Sequence, residues 1–174
     1  MPSNIEIKAR VSDLEALRRV AQELADAPCK VLRQEDVFFG GVRGRLKLRM
    51  FPGGSGELIH YERPDDAGAS QSHYRIFATG DTKTLRALLA DALGELVTVR
   101  KTRALWLAGQ TRIHLDRVEG LGDFAELEVV LRPGQSPDEG RAIAADLMDR
   151  LGIREADLVA CAYADLLLQQ RGAE

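Results

Sequence analysis

Charged and apolar residues alternate in several stretches of this chain, and the alternation predicts most of its strands. In residues 4–11, Asn-Ile-Glu-Ile-Lys-Ala-Arg-Val, a period of two puts Glu6, Lys8 and Arg10 on one face and Ile5, Ile7 and Val11 on the other. The same period returns in Arg45-Leu46-Lys47-Leu48-Arg49, in Arg112-Ile113-His114-Leu115-Asp116 and in Glu126-Leu127-Glu128-Val129. Together with their flanks these stretches predict strands over 3–11, 30–39, 44–51, 57–63, 72–78, 95–107, 110–118 and 124–132. Pro52-Gly53-Gly54-Ser55-Gly56 is a hairpin turn, Ala108-Gly109 a second one, and Pro64 to Gln71 a polar loop.

A period near 3.6 takes over elsewhere. Ser12-Asp13-Leu14-Glu15 reads as a capping box, followed by the stripe Leu14, Leu17, Val20, Ala21 and Leu24 to about Ala27. Asp81 caps a second helix with the stripe Leu85, Leu88, Leu89 and Leu93, and Gly94 ends it. Ser136-Pro137-Asp138-Glu139 starts a third helix that ends at Gly152, and a fourth is predicted over roughly 155–170. About eight strands and a few helices, with no linker or low-complexity tract, predict one α+β domain. Amphipathic helices can cover the apolar strand faces. The charged faces are then left for the inside of a closed or nearly closed barrel, where eight strands enclose a small ligand. Such an interior is costly unless its charges pair or bind an ion.

Composition narrows the function classes. At 174 residues, 45% hydrophobic and 29% charged, the chain is ordinary for a soluble protein. It has no membrane-length apolar run and no signal-peptide stretch after Met1, so a cytoplasmic location without membrane contact is the expectation. Cys29 and Cys161 lack disulfide-framework or metal-type spacing. A net charge of −3 and scattered aromatics argue against nucleic acid as a partner. A homodimer is compatible with the sequence, and no feature compels one.

Basic residues nevertheless concentrate on the strands. Lys8/Arg10, Lys47/Arg49 and Lys101/Arg103 each share a face, joined by Arg45 and Arg112. One such pair reads best as a solvated strand face. Three suggest a local site for a small anion, because Arg forks match phosphate oxygens and Lys adds a point charge. Glu126 and Glu128 share a face too. With Glu6, and Asp116 as a weaker fourth member, they suit Mg²⁺ or Mn²⁺ completed by phosphate and water. His114 shares a face with Arg112 and Asp116 but receives no role, and neither do His60 and His73. Phosphate-loop and dinucleotide fingerprints are absent.

These residues, taken in order, resemble a known family. Ile5-Glu6-Ile7-Lys8 is similar to the Glu-x-Glu-x-Lys signature of the CYTH, or triphosphate tunnel metalloenzyme, superfamily. Gly44 to Arg49, Lys101-Thr102-Arg103 and Leu115 through Glu128 follow in matching order, most like the class IV adenylate cyclase-like branch. The resemblance implies an eight-stranded antiparallel barrel, open at both ends, with flanking helices and a triphosphate in its tunnel. It assigns metal to Glu6, Glu126 and Glu128, phosphate contacts to Lys8, Lys47, Arg49, Arg63, Lys101, Arg103 and Arg112, and catalysis to Lys8 and Glu6. Arg10 and Arg45 are placed toward the mouths. Two departures stand out. Asn4 occupies the place of the first signature Glu, and Phe38 that of a Tyr found in the thiamine triphosphatase branch, which argues against that substrate.

The expected activity is therefore metal-dependent chemistry on a triphosphate. The first form is cyclisation of ATP to cyclic AMP and pyrophosphate. The alternatives are hydrolysis of tripolyphosphate or of a nucleoside or organic triphosphate, and, given Asn4, capture of a nucleotide or polyphosphate without turnover. A ligand-free structural role remains as the plain reading.

Overall fold

Eight strands pair edge to edge among the residues that the computed structural model describes, 3–62 and 70–173. They are β1 (Ser3–Arg10), β2 (Lys30–Phe39), β3 (Arg45–Met50), β4 (Gly56–Glu62), β5 (Ser70–Thr79), β6 (Glu95–Ala108), β7 (Thr111–Val118) and β8 (Gly122–Val130). The order β1-β5-β4-β3-β2-β6-β7-β8 closes into a ring, and every pairing is antiparallel. The helices are α1 (Leu14–Leu24), α2 (Thr82–Leu93), α3 (Pro137–Leu151) and α4 (Tyr163–Gly172). No helix of the described residues is long and apolar enough to cross a membrane.

The main apolar core lies outside the ring, between strands and helices. Ile7, Trp106, Ile113, Leu115 and Leu127 pack under Leu14 and Ala21 of α1 and Leu147 and Leu151 of α3. Val37, Phe39 and Leu48 pack under Leu85, Leu89 and Leu93 of α2. Strand alternation then obliges the charged faces to point inward. The α3 seat is tight. A Cβ on Gly140 would lie 2.6 Å from Ile5 Cγ1 and 2.6 Å from Leu131 Cδ2. Gly140→Ala should therefore lower stability in urea titrations by about 1–3 kcal/mol, overriding a helix-propensity gain of about 1 kcal/mol. An unchanged midpoint would show that α3 can shift.

Two local expectations are corrected. The cap of α1 is Asp13, whose carboxylate accepts from Ala16 N at 2.9 Å, rather than Ser12. The chain is still tied to β8 at Val11, which donates to Asp123 O at 3.0 Å, so Ser12 falls in the turn. The helix predicted over 155–170 is interrupted. A single 3₁₀ turn at Glu155–Asp157 leads into an extended stretch, and α4 begins only at Tyr163. Among the described residues, β5 pairs with β1 over Ser3–Glu6. Beyond it, Leu158 bridges Ala9, and Val159 N–H donates to Lys8 O at 2.9 Å. This bond to the Lys8 carbonyl at the strand edge draws the segment out of helix.

The ring is not open at both ends as the resemblance implied. At one end the inward residues are apolar, and Phe38, Val97, Val99, Val118 and Phe124 cluster with Tyr163 and Ala164 of α4. Arg45 ties α4 to β3 through Asp165 at 2.8 Å.

Candidate active site

Inside the ring is a cavity of about 390 Å³, a size suited to a small molecule. Among the described residues, six cations line it: Lys8, Lys47, Arg49, Lys101, Arg103 and Arg112. Five carboxylates face the same space, those of Glu6, Asp36, Glu57, Glu126 and Glu128. A sixth, Asp116, is fully buried behind Arg103. The wall is thus nearly neutral, and a polyphosphate entering it must bring counter-charge or displace carboxylates from their cations.

Register explains the grouping. On the wall formed by β1, β8 and β7, Glu126 stands between Lys8 and His114, and Glu128 between Glu6 and Arg112. Lys8 Nζ lies 3.4 Å from Glu126, Arg112 lies 3.3 Å from Glu128, and His114 Nδ1 lies 3.8 Å from each of the two carboxylates. One row along, Arg103 donates to both oxygens of Asp116 at 2.6 Å and to Glu126 at 2.7 Å. Tyr163 donates to Asp116 at 2.9 Å, and Lys101 stands 3.7 Å from it. Both Asp116 oxygens are thereby engaged, as befits a residue that positions cations. On the opposite wall Asp36, 2% exposed, accepts from Lys47 at 3.0 Å and from both ends of the Arg49 fork at 2.8 Å.

The electrostatics follow from burial against pairing. Burial alone would raise the carboxyl of Asp36, but Lys47 and Arg49 hold it well below the usual range. Burial likewise opposes Glu126, which Arg103 and Lys8 hold well below that range, and Glu128 is lowered by His114 and Arg103. His114 itself is pushed down by burial and by Arg103, which leaves it neutral at pH 7. Tyr163 is raised by burial and by Glu126 and Asp116, so it stays protonated and able to donate.

Lys101 is lowered to about 7, first by burial and then by Arg103, against the pull of Asp116, Asp36 and Glu126. The tunnel should therefore gain a positive charge as pH falls through about 7. Lys101→Arg stays charged throughout. The ratio of tripolyphosphate Kd in wild type to that in the variant should rise by about tenfold between roughly pH 6 and pH 8.5, one charge–phosphate contact being worth about one pKa unit. Using one ligand for both proteins cancels its own titration. A flat ratio would mean that Lys101 does not meet the anion as a titrating group.

Of the site residues named from sequence, Glu6, Lys8, Lys47, Arg49, Lys101, Arg103, Arg112, Glu126 and Glu128 all line this one cavity. Asp116 lies against it through Arg103, and Arg63 lies outside the described residues. Arg10 is exposed and sits 5.1 Å over Phe124 at the filled end. Four contributors went unassigned in the sequence, Glu57 among them. Asp36 shares strand parity with Phe38, a signal that was present. His114 lay in view on the face of Arg112 and Asp116. Tyr163, whose ring lies 4.0 Å from Lys8 Nζ, comes from a distant helix and gave no signal.

A divalent cation is implied by this chemistry, and the residues fit one. Ligand atoms of His114, Glu126 and Glu128 lie within 4.8 Å of one another. The buried Nδ1 of His114 has no hydrogen-bond partner. Asn4 also faces the cavity with a buried unpartnered oxygen, but brings no charge.

The chain and its fold are similar to those of known proteins. The CYTH domain family matches residues 3–163. MJ0240, a candidate adenylate cyclase of Methanocaldococcus jannaschii, is 23% identical over 169 residues, covering 93% of this chain and 97% of that protein. The solved structure of PH1012 from Pyrococcus horikoshii OT3 superposes with a TM-score of 0.84 at 28% identity, over 94% of this chain and 98% of the other. HpAC1 of Hippeastrum, a candidate adenylyl cyclase with a dominant triphosphatase activity, shares the fold at a TM-score of 0.63 and 15% identity, over 99% and 96% of the two chains.

Proposed function

This chain belongs to the CYTH domain family, whose members are adenylate cyclases or triphosphatases, and from that premise we propose that it is a divalent-metal-dependent enzyme acting on a triphosphate, foremost as a cyclase converting ATP to cyclic AMP and pyrophosphate. The observation that carries the reading is the convergence, among the described residues, of six cations and five carboxylates on one cavity inside the ring. The nucleotide preference draws on the mouth opposite α4. There the inward positions Leu32, Phe51, Ile76 and Leu105 are apolar, and Ile76 is 52% exposed, a surface suited to a base and costly in water.

Glu126 and Glu128 would hold the cation, Mg²⁺ or Mn²⁺, with Glu6 beside it across the strand pair, and the ion would supply Lewis-acid polarisation of the phosphoryl oxygens. The chain's own cations do the rest by position and charge. Lys47, Arg49, Lys101 and Arg103 bind non-bridging oxygens, and Asp36 and Asp116 keep those side chains aimed inward. Lys8 is held by Glu126, the Cys161 carbonyl at 3.2 Å and the Tyr163 ring, and offsets charge that builds on the leaving phosphates. In cyclisation the ribose 3′-oxygen attacks the α-phosphorus, the bond to the β-phosphate oxygen breaks, and the hydroxyl proton leaves to a base, the role given to Glu6.

Asn4 favours a second reading. With an amide where a further carboxylate would stand, β1 carries less negative charge toward the cation, and hydrolysis at a terminal phosphorus needs less of the site than cyclisation. Incubating the purified protein with ATP and, separately, tripolyphosphate, each with Mg²⁺, Mn²⁺ or chelator, and resolving products by ion chromatography separates the readings. Cyclic AMP with pyrophosphate supports the first and orthophosphate the second. No product from either overturns the enzyme proposal and leaves a binding module.

A further inference from the structure

We propose that His114 is a metal ligand and that, with Glu126 and Glu128, it forms a nitrogen–oxygen site selecting Mn²⁺ and Co²⁺ over Mg²⁺. The proposal deepens the reading of the tunnel as a metal-dependent site and rests on it. His114 is 3% exposed, and its Nδ1 makes no hydrogen bond, although it lies 3.8 Å from Glu126 Oε2 and 3.8 Å from Glu128 Oε1. A buried ring nitrogen aimed between two carboxylates, and bonded to neither, calls for a partner. Other contacts leave it that opening. Arg103 occupies Glu126 Oε2, Lys8 stands at Glu126 Oε1 and Arg112 at Glu128 Oε2. These three cations thus turn to oxygens other than Glu128 Oε1.

Ligands at about 2.1 Å from one ion sit about 3 Å apart when adjacent. The three groups therefore close on an ion with a side-chain movement of under about 1 Å from their present spacing. The backbone sets this up. His114 is the cross-strand partner of Glu126, and Glu128 follows two residues along the same inward face. The donor type sets the selectivity. Mg²⁺ prefers oxygen and retains its water, whereas imidazole nitrogen favours ions further along the first transition row.

The test uses metal ions alone, without triphosphate. Metal-free protein is titrated calorimetrically with Mn²⁺, Co²⁺ and Mg²⁺, in wild type, His114→Gln and Glu128→Gln. Wild type should bind one Co²⁺ or Mn²⁺ at least about tenfold more tightly than Mg²⁺. His114→Gln should lose about tenfold or more for Co²⁺ and Mn²⁺ with little change for Mg²⁺, whereas Glu128→Gln weakens all three. Pulsed electron paramagnetic resonance of Mn²⁺ in ¹⁵N-histidine-labelled wild type should show a nitrogen coupling, which needs no variant to fold. Equal affinity for Mg²⁺ and Co²⁺, or Mn²⁺ without nitrogen coupling, overturns the proposal. Because the readout is ion binding, a lack of turnover would sink the enzyme assignment and leave this site standing, while an all-oxygen site would leave a Mg²⁺ enzyme intact.

Discussion

Changing Glu126 and Glu128 together to Gln should reduce kcat on the cleaved triphosphate by about 10³-fold or more, the scale of losing a metal's Lewis-acid contribution. The amides keep side-chain volume, and Arg103 keeps its fork on Asp116, so the ring should remain folded. What is lost is negative charge beside His114 and Arg112. The same change should strengthen metal-free tripolyphosphate binding, because the wall then has six cations against fewer carboxylates. Lower turnover with tighter bare-anion binding is a signature that general damage cannot produce. Initial rates with saturating Mn²⁺ and titration calorimetry with chelator would measure the two halves. A kcat within about tenfold of wild type would place the metal elsewhere.

Arg103→Met should be the most destabilising single change in the tunnel, at about 3–5 kcal/mol, because it takes from the buried Asp116 and Glu126 their shared guanidinium and leaves them Lys101, Tyr163 and Lys8. For a chain of this size that is a fall in Tm of about 10 °C. The pH dependence carries the sign. In wild type, burial raises and Arg103 lowers the carboxyls of Asp116 and Glu126, with a net lowering. Their stability contribution is therefore present above the unfolded carboxylate range and lost as pH falls through the folded values. Without Arg103, the largest opposition to burial is gone and the folded values rise. The deficit should then be largest at neutral pH and shrink toward about pH 4. Melting followed by circular dichroism across that range gives the comparison, and a deficit independent of pH would mean that lost packing dominates.

Period-two alternation was enough to read which strand faces turn inward, because covering helices fix the apolar side and leave the charged side no alternative. That is why Lys8, Lys47, Lys101 and Arg103 could be named from sequence and are found together. Roles set by partners across the ring were less legible. Asp36 sits in a strand whose polar residues do not alternate with apolar ones, and only pairing β2 with β3 reveals it as the anchor of Lys47 and Arg49. Asp116 carries the residue type of a metal ligand, yet its oxygens go to Arg103 and Tyr163. His114 looked isolated because its carboxylate neighbours lie on the next strand. The break before α4 reflects a tertiary override. Residues 158–162 are acceptable in a helix, but the β1 edge at Lys8 and Ala9 offers a backbone partner that local propensity does not register.

The claim beneath all of this is that the tunnel holds a triphosphate together with a divalent ion. Calorimetric titration of tripolyphosphate into wild type and Lys47→Ala/Arg49→Ala, with Mn²⁺ and with chelator, tests it most directly. The prediction is one site per chain in wild type with Mn²⁺, weakened by about tenfold or more by chelator and abolished in the double variant. Binding of equal strength with and without the ion, or binding that survives loss of Lys47 and Arg49, would contradict it.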